Sequence, residues 1–140
     1  MERFRNIVEV AIGALYAMGA FHQLAFVLRD AAAFYGDMAA QSWIPPARIL
    51  VKDVLIPNSA TATIGVGILE AILAIAILTR GSGVRPALIV GGLFSIAGAA
   101  TGGPAETAGY GLLAILQFWL AARHDNSAPM ETDLSAADLT

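Results

Sequence analysis

Residues 65–79 read GVGILEAILAIAILT, an aliphatic run with a single carboxylate, Glu70, near its centre. How this run is read decides the fold. With its flanks it extends over about 60–79, and about 20 mostly apolar residues suffice to cross a bilayer as a helix. The composition of the 140-residue chain agrees. Only 14% of it is charged, where soluble domains carry about 25%, and its mean hydropathy is +0.68. The length allows one domain. A net charge of −3 leaves no basic footprint for nucleic acid, so that class is set aside. The absence of cysteine removes thiol chemistry, iron–sulfur clusters and thiolate metal sites, and no metal site is expected.

Working outward, three further segments qualify as spans, at about 7–28, 86–102 and 105–123. The first follows Arg3 and Arg5 but is too long for the apolar core of a signal peptide, so it is read as a retained span. GGPAE (Gly102 to Glu106) is short enough to force an antiparallel hairpin between the last two. PNSAT at 57–61 offers Asn58 or Ser59 as a helix N-cap, and RGSGVRP at 80–86 supplies Pro86 as a first-turn residue. Only helices and closed barrels satisfy their backbone in lipid, and none of these runs alternates. The expected class is all-α: a four-helix transmembrane bundle over residues 1–124, followed by a polar, acidic tail at 125–140. By composition the tail is expected to be disordered.

An even number of spans places both termini on one side. That side holds Arg3, Arg5, Arg80, Arg85 and Arg123, against Arg29, Arg48 and Lys52 on the other. The bias predicts cytoplasmic termini. The connection from Arg29 to Ser59 is too long for a passive turn. RDAAAFYGDMAAQSWI and PPARILVKDVLIP within it read as short amphipathic helices at the interface, anchored by Phe34, Tyr35 and Trp43. Such a segment caps the bundle end either as a tether or as a lid over a site.

At 1.5 Å per residue, Glu70, Tyr16, Ser95 and Gln117 fall at one depth, and His22 lies nearer the loop end. Each span also carries one stripe of small and polar residues. Glu9, Gly13, Tyr16, Ala20 and Gln23 form the first, and Thr63, Gly67, Glu70 and Ala74 the second. Gly91, Ser95, Gly98 and Gly102 form the third, and Tyr110, Ala114, Gln117 and Ala121 the fourth. Such faces pack inward in membrane bundles.

A charge at the bilayer centre costs about 2.5–3.5 kcal/mol on insertion scales, so a retained acid is by default a site hypothesis. Glu70 is expected to face the interior in its neutral form, with His22, Gln23, Tyr16 or Gln117 as partners. Against this stands the plainer reading, a neutral acid that only ties helices together. His22 is as readily a hydrogen-bonded packing residue as a proton carrier, while Gln23, Gln117, Tyr16 and Tyr110 are commonly interhelical glue. Glu9, near the cytoplasmic end, is expected to be solvated. Trp43 and Trp119 suit interfacial anchoring.

Over about 1–123 the pattern resembles the DoxX-like family of small four-span membrane proteins. GALYAMGAFHQL (13–24) is similar to that family's glycine-rich first helix, and GILEAILAIAILTRG (67–81) to its second, with one Glu and a short basic turn. YGLLAILQFWLA (110–121) is in keeping with the last. Where the family often has an Arg four residues before the first glycine, this chain has Glu9. The resemblance implies a prokaryotic cell membrane protein that binds a small apolar molecule, quinone-like, or serves as a subunit of an oxidoreductase complex. Its partners would be the lipid bilayer and an oxidoreductase subunit or further copies of itself. The residues themselves call for no cofactor; quinone is the one the resemblance brings. On this reading Tyr16, Gln23, Ser95, Tyr110 and Gln117 bind the ligand, and Glu70 and His22 handle protons. Two rivals stand beside it. One is an intramembrane isomerase or hydrolase using Glu70 and His22 as an acid–base pair. The other is a small proton-coupled multidrug-type transporter, against which the long first connection argues.

Overall fold

The computed structural model describes residues 2–125, and they are all-helical, with no strand among them. α1 (Glu2–Ala25) leads through a 3-10 turn (Val27–Asp30) into α2 (Ala31–Gln41) and α3 (Pro45–Leu50). A π-helical turn (Val51–Leu55) precedes α4 (Ser59–Leu78), and α5 (Val84–Thr101) and α6 (Pro104–Asp125) complete the chain. The expectation for the tail lies outside the described residues, except that Asp125 ends α6.

The boundaries follow local chemistry. Pro86 sits in the first turn of α5, where a missing N–H costs nothing because no intrahelical acceptor exists for it. Pro104 opens α6 in the same way. Asn58 caps α4 by position only; its Nδ2 turns back to donate to the Val54 carbonyl at 2.9 Å. α1 begins earlier than the apolar run because Glu2 in its first turn complements the helix dipole. It ends at Ala25, where the chain tightens into the 3-10 turn.

Three helical segments are long and apolar enough to cross a membrane: the one that includes α1, then α4 and α5. They mark the chain as a membrane protein. α6 is comparably long, but Glu106, Thr107, Tyr110 and Gln117 dilute its hydropathy, and it is not one of the three. Phe21, Ile72, Ile75, Leu93, Leu112 and Ile115 point outward and are exposed, while the small and polar stripes are buried except at their loop ends, where Gln23, Gly98 and Gly102 are half-buried and Tyr110 is exposed. That polarity is inverted relative to a water-soluble helical protein and suits an acyl-chain surround.

α1 and α4 pack antiparallel, with Gly13 against Leu78, Gly19 against Glu70 and Gly67 against Leu24. α5 and α6 do the same, with Gly92 against Phe118 and Gly98 against Tyr110. The start of α1, the end of α4, the start of α5 and the end of α6 therefore share one end, called here the terminal end. The opposite, loop end carries α2 and α3. The main core, with Ile12, Leu73, Ile77, Leu88 and Leu120, fills the terminal half.

The connection from Arg29 to Ser59 forms short helices as expected, but two of its three expected anchors turn to the protein: Phe34 is half-buried and packs against the core that Tyr35 helps to form. Tyr35 is 3% exposed and belongs with Ala39 and Val51 to a second small core beneath the loop helices. It lies on the α2 face that meets this core, so its ring packs inward. Trp43 is exposed and donates from Nε1 to Thr107 Oγ1 at 3.0 Å, clasping the α2–α3 corner to α6. Trp119 is also exposed, with the Arg123 guanidinium 5.2 Å from its ring centroid.

Candidate intramembrane polar site

The small-and-polar stripes meet where the sequence placed them. Tyr16 reaches across from α1 to the second helix pair: its hydroxyl is 3.0 Å from the Gly91 carbonyl and 3.2 Å from Gln117 Oε1. Gln117 Nε2 donates to the Tyr16 hydroxyl at 2.9 Å and lies 3.4 Å from Ser95 Oγ. Tyr16 is nearly and Ser95 and Gln117 are completely buried. This hub ties α1, α5 and α6 together, and in a low-dielectric interior such a satisfied network is strong. The backbone at Gly91 makes it possible. A Cβ there would lie 2.6 Å from both the Tyr16 hydroxyl and Gln117 Oε1, so only glycine admits the two polar groups so close.

Glu70 faces inward, as expected, and is 9% exposed. Its neighbour is one the sequence reading overlooked. The carboxyl lies over Gly19 of α1, where a Cβ would come within 2.6 Å of Oε1. The signal was present: Gly13 and Gly67 set an antiparallel register that brings Gly19 opposite Glu70. Glu70 makes no hydrogen bond to Tyr16, Gln117 or His22 among the described residues, and its Oε2 is buried without a partner.

The remaining candidates divide. Gln23 lies beside Gly67 on the same seam, half-buried, with Oε1 buried and unpartnered. Tyr110 packs its ring on Gly98 but is 40% exposed. It lines an open groove of about 220 Å³ with Glu106, Gly109 and Leu113. His22 does not join the site. It is exposed on α1, and its ring stacks against Phe26 at 5.8 Å between centroids. The expected partner pair of Glu70 and His22 is therefore not assembled. Among the described residues no cluster of three or more His, Asp or Glu side chains is placed to hold a metal.

Glu9 departs from expectation. It is 3% exposed rather than solvated, with His124 Nε2 2.8 Å and Arg5 Nε 3.7 Å from its Oε1. It lies on the buried stripe with Gly13 and Tyr16, and the last turn of α6 delivers His124 to it at the terminal end.

No family model, no curated protein and no solved structure matches the chain.

Proposed function

We propose that the protein is a DoxX-like integral membrane protein. On this reading α1, α4, α5 and α6 form a four-helix transmembrane bundle with cytoplasmic termini. It binds a small apolar molecule with a polar head, of quinone type, beside Glu70, and serves as a ligand-binding or redox-complex subunit. The observation that carries the reading is the buried carboxyl of Glu70, whose Oε2 lacks a partner one turn from a saturated hub. Buried polar groups are nearly always paired, so one left open inside a membrane-type interior favours a bound polar group. Gln23 Oε1 is a second open acceptor on the same seam. Tyr16, Ser95 and Gln117 are spent on one another and act as the floor of the site.

The acid–base enzyme reading loses its main support, because His22 faces outward and stacks on Phe26. The test uses the purified protein in nanodiscs titrated with a short-chain quinone, read by quenching of its two tryptophans. Saturable quenching that disappears in Glu70→Gln is expected. Wild-type protein that shows no saturation would overturn the quinone reading, and acid-driven solute uptake by vesicles lacking that binding would favour transport.

A further inference from the structure

The outward face of α1 ends in a polar and aromatic stack that the Glu70 site does not use. Leu15, Met18, His22 and Phe26 recur at helical spacing and so share one face. Phe26 lies just past the end of α1, but its N–H still donates to the His22 carbonyl at 3.0 Å, which keeps it in line. The Arg29 N–H then donates to the Phe26 carbonyl at 3.2 Å and folds Arg29 back towards that ring. All five side chains are exposed. The His22 ring stacks on Phe26 with 5.8 Å between centroids, and the Arg29 guanidinium carbon lies 6.0 Å from the same centroid. Phe21 meets that ring edge-on at 5.8 Å. Cation–π attraction to Phe26 restrains the guanidinium before anything binds to it.

Both polar groups of this stack are open. Arg29 forms no ion pair with Asp30, its neighbour in sequence, or with any other described carboxylate. Asp30 sits at the N-cap position of α2, where the helix dipole offsets its charge. His22 has no side-chain hydrogen bond among the described residues. An imidazole on the outward side of a span is costly unless a polar group meets it. The order along the axis is also informative. From mid-span outward the face presents Leu15, Met18, the His22 imidazole and, at the edge of the span, the Arg29 guanidinium. A phospholipid lying along the helix presents acyl chain, ester carbonyl and phosphate in the same order. A guanidinium fork matches phosphate oxygens, and an imidazole N–H donates to a carbonyl.

We propose that this face of α1 binds an anionic phospholipid of the leaflet at the loop end. Arg29 takes the phosphate, His22 donates to a glycerol ester carbonyl, and Leu15 and Met18 carry an acyl chain. Phe26 holds the two polar groups in place. An anionic headgroup is selected because a zwitterionic one brings its own ammonium towards the guanidinium. The inference rests on the transmembrane reading above but not on quinone or on Glu70.

The test reconstitutes the protein in nanodiscs of mixed phosphatidylcholine and phosphatidylglycerol, and native mass spectrometry identifies the lipids that stay bound. Wild-type protein should retain phosphatidylglycerol in preference. Arg29→Ala should lower that preference about tenfold or more, as loss of a charge-assisted hydrogen bond does, and His22→Ala about threefold. Arg29→Lys keeps the charge without the fork and should fall between wild type and Arg29→Ala. Lys52→Ala removes an exposed cation of the same connection outside the stack and should leave the preference nearly intact. These positions are all exposed, so none of the exchanges opens the core.

Equal losses in Lys52→Ala and Arg29→Ala would reduce the effect to general surface charge and overturn the proposal. Equal retention of both lipids would also overturn it. Displacement of the lipid by inorganic phosphate would make this a simple anion site, and a dimer broken by Met18→Glu would put a second copy on the face. Either result overturns the lipid as occupant. Alkaline carbonate extraction from vesicles checks the transmembrane reading separately. An embedded chain without the preference sinks this proposal alone, whereas a chain released by carbonate sinks both.

Discussion

The two halves of the interior treat their polar groups differently. In the terminal half the groups around Tyr16 and Glu9 are paired, except that Arg5 Nε, 3.7 Å from Glu9 Oε1, is buried without a hydrogen bond. The hydroxyl, amide and carbonyl of the hub bond one another, Glu9 meets His124, and aliphatic side chains fill the layer between. In the loop half Glu70, Gln23 and Thr63 lie inside the protein with atoms left open. The residue types are much alike in the two halves, so polarity alone does not mark a site. What separates glue from site is whether the bonding capacity is used up. A saturated network stabilises helix association, whereas an open acceptor in a low-dielectric interior is costly unless something occupies it.

If the terminal half is the stable floor, damage there should be the most severe. Leu120→Ala removes a completely buried side chain from the apolar layer and should cost about 2–5 kcal/mol through lost packing and a residual cavity. Unfolding titrations in mixed micelles measure this directly. A loss under about 1 kcal/mol would mean that the layer is loosely packed. Next comes Gly91→Ala, whose methyl would meet Gln117 Oε1 and the Tyr16 hydroxyl at 2.6 Å. Forcing apart buried polar groups on two different helices should cost about 1–3 kcal/mol. The same change at Gly109, which faces open space, should have no measurable effect and serves as the control.

Much of this contrast is legible in the sequence, and the missing part has a physical cause. Inward stripes could be read because small and polar residues recur at helical spacing on otherwise aliphatic runs. The shared depth of Tyr16, Ser95 and Gln117 followed from rise per residue, and the hydrogen bonds agree with it. Rotation about the helix axis was harder to read for residues near the stripe edge. His22 lies beside Gln23 in sequence but a full 100° round the helix, enough to carry it from the seam to the exposed face. Pairing was harder still. Nothing local in Glu9 says that the last turn of α6 will bring His124 to it, because that contact depends on how two helix pairs dock. Tyr35 was misjudged for the same reason: aromatic residues near an interface anchor or pack, and only tertiary contacts decide between them.

Two smaller tests sharpen the comparison from the satisfied side. Tyr16→Phe keeps the ring in the core but removes the hydroxyl that joins Gly91 and Gln117. Interhelical hydrogen bonds in membranes contribute about 0.6 kcal/mol on average and up to about 1.7. The upper part of that range is expected here, because Gln117 is left underbonded with no exposure to water. Trp43→Phe deletes the N–H that holds the α2–α3 corner to Thr107. That bond is exposed, so a loss of about 0.5 kcal/mol is expected. Its clearer signature is faster hydrogen exchange across α2 and α3 than across α4.

The smallest stability change is expected where the functional change is largest. Glu70→Gln preserves the shape of the side chain and its seat over Gly19, while removing the ionisable group from the seam. Because Oε2 makes no hydrogen bond, no partner is left stranded by the exchange. Unlike a carboxyl, an amide never carries a charge into the bilayer interior. Unfolding in micelles should therefore show no loss, or a slight gain, while carbodiimide reactivity at this position and any ligand response that depends on the acid vanish. A substantial destabilisation would put Glu70 on the other side of the comparison. The carboxyl would then be structural glue like Gln117, and its open oxygen would be filled by a neighbouring helix rather than by a ligand. Pairing the exchange with Gln23→Leu separates the cases further. If both side chains hold one ligand, their effects on quinone-induced tryptophan quenching should be non-additive, whereas independent structural roles would add.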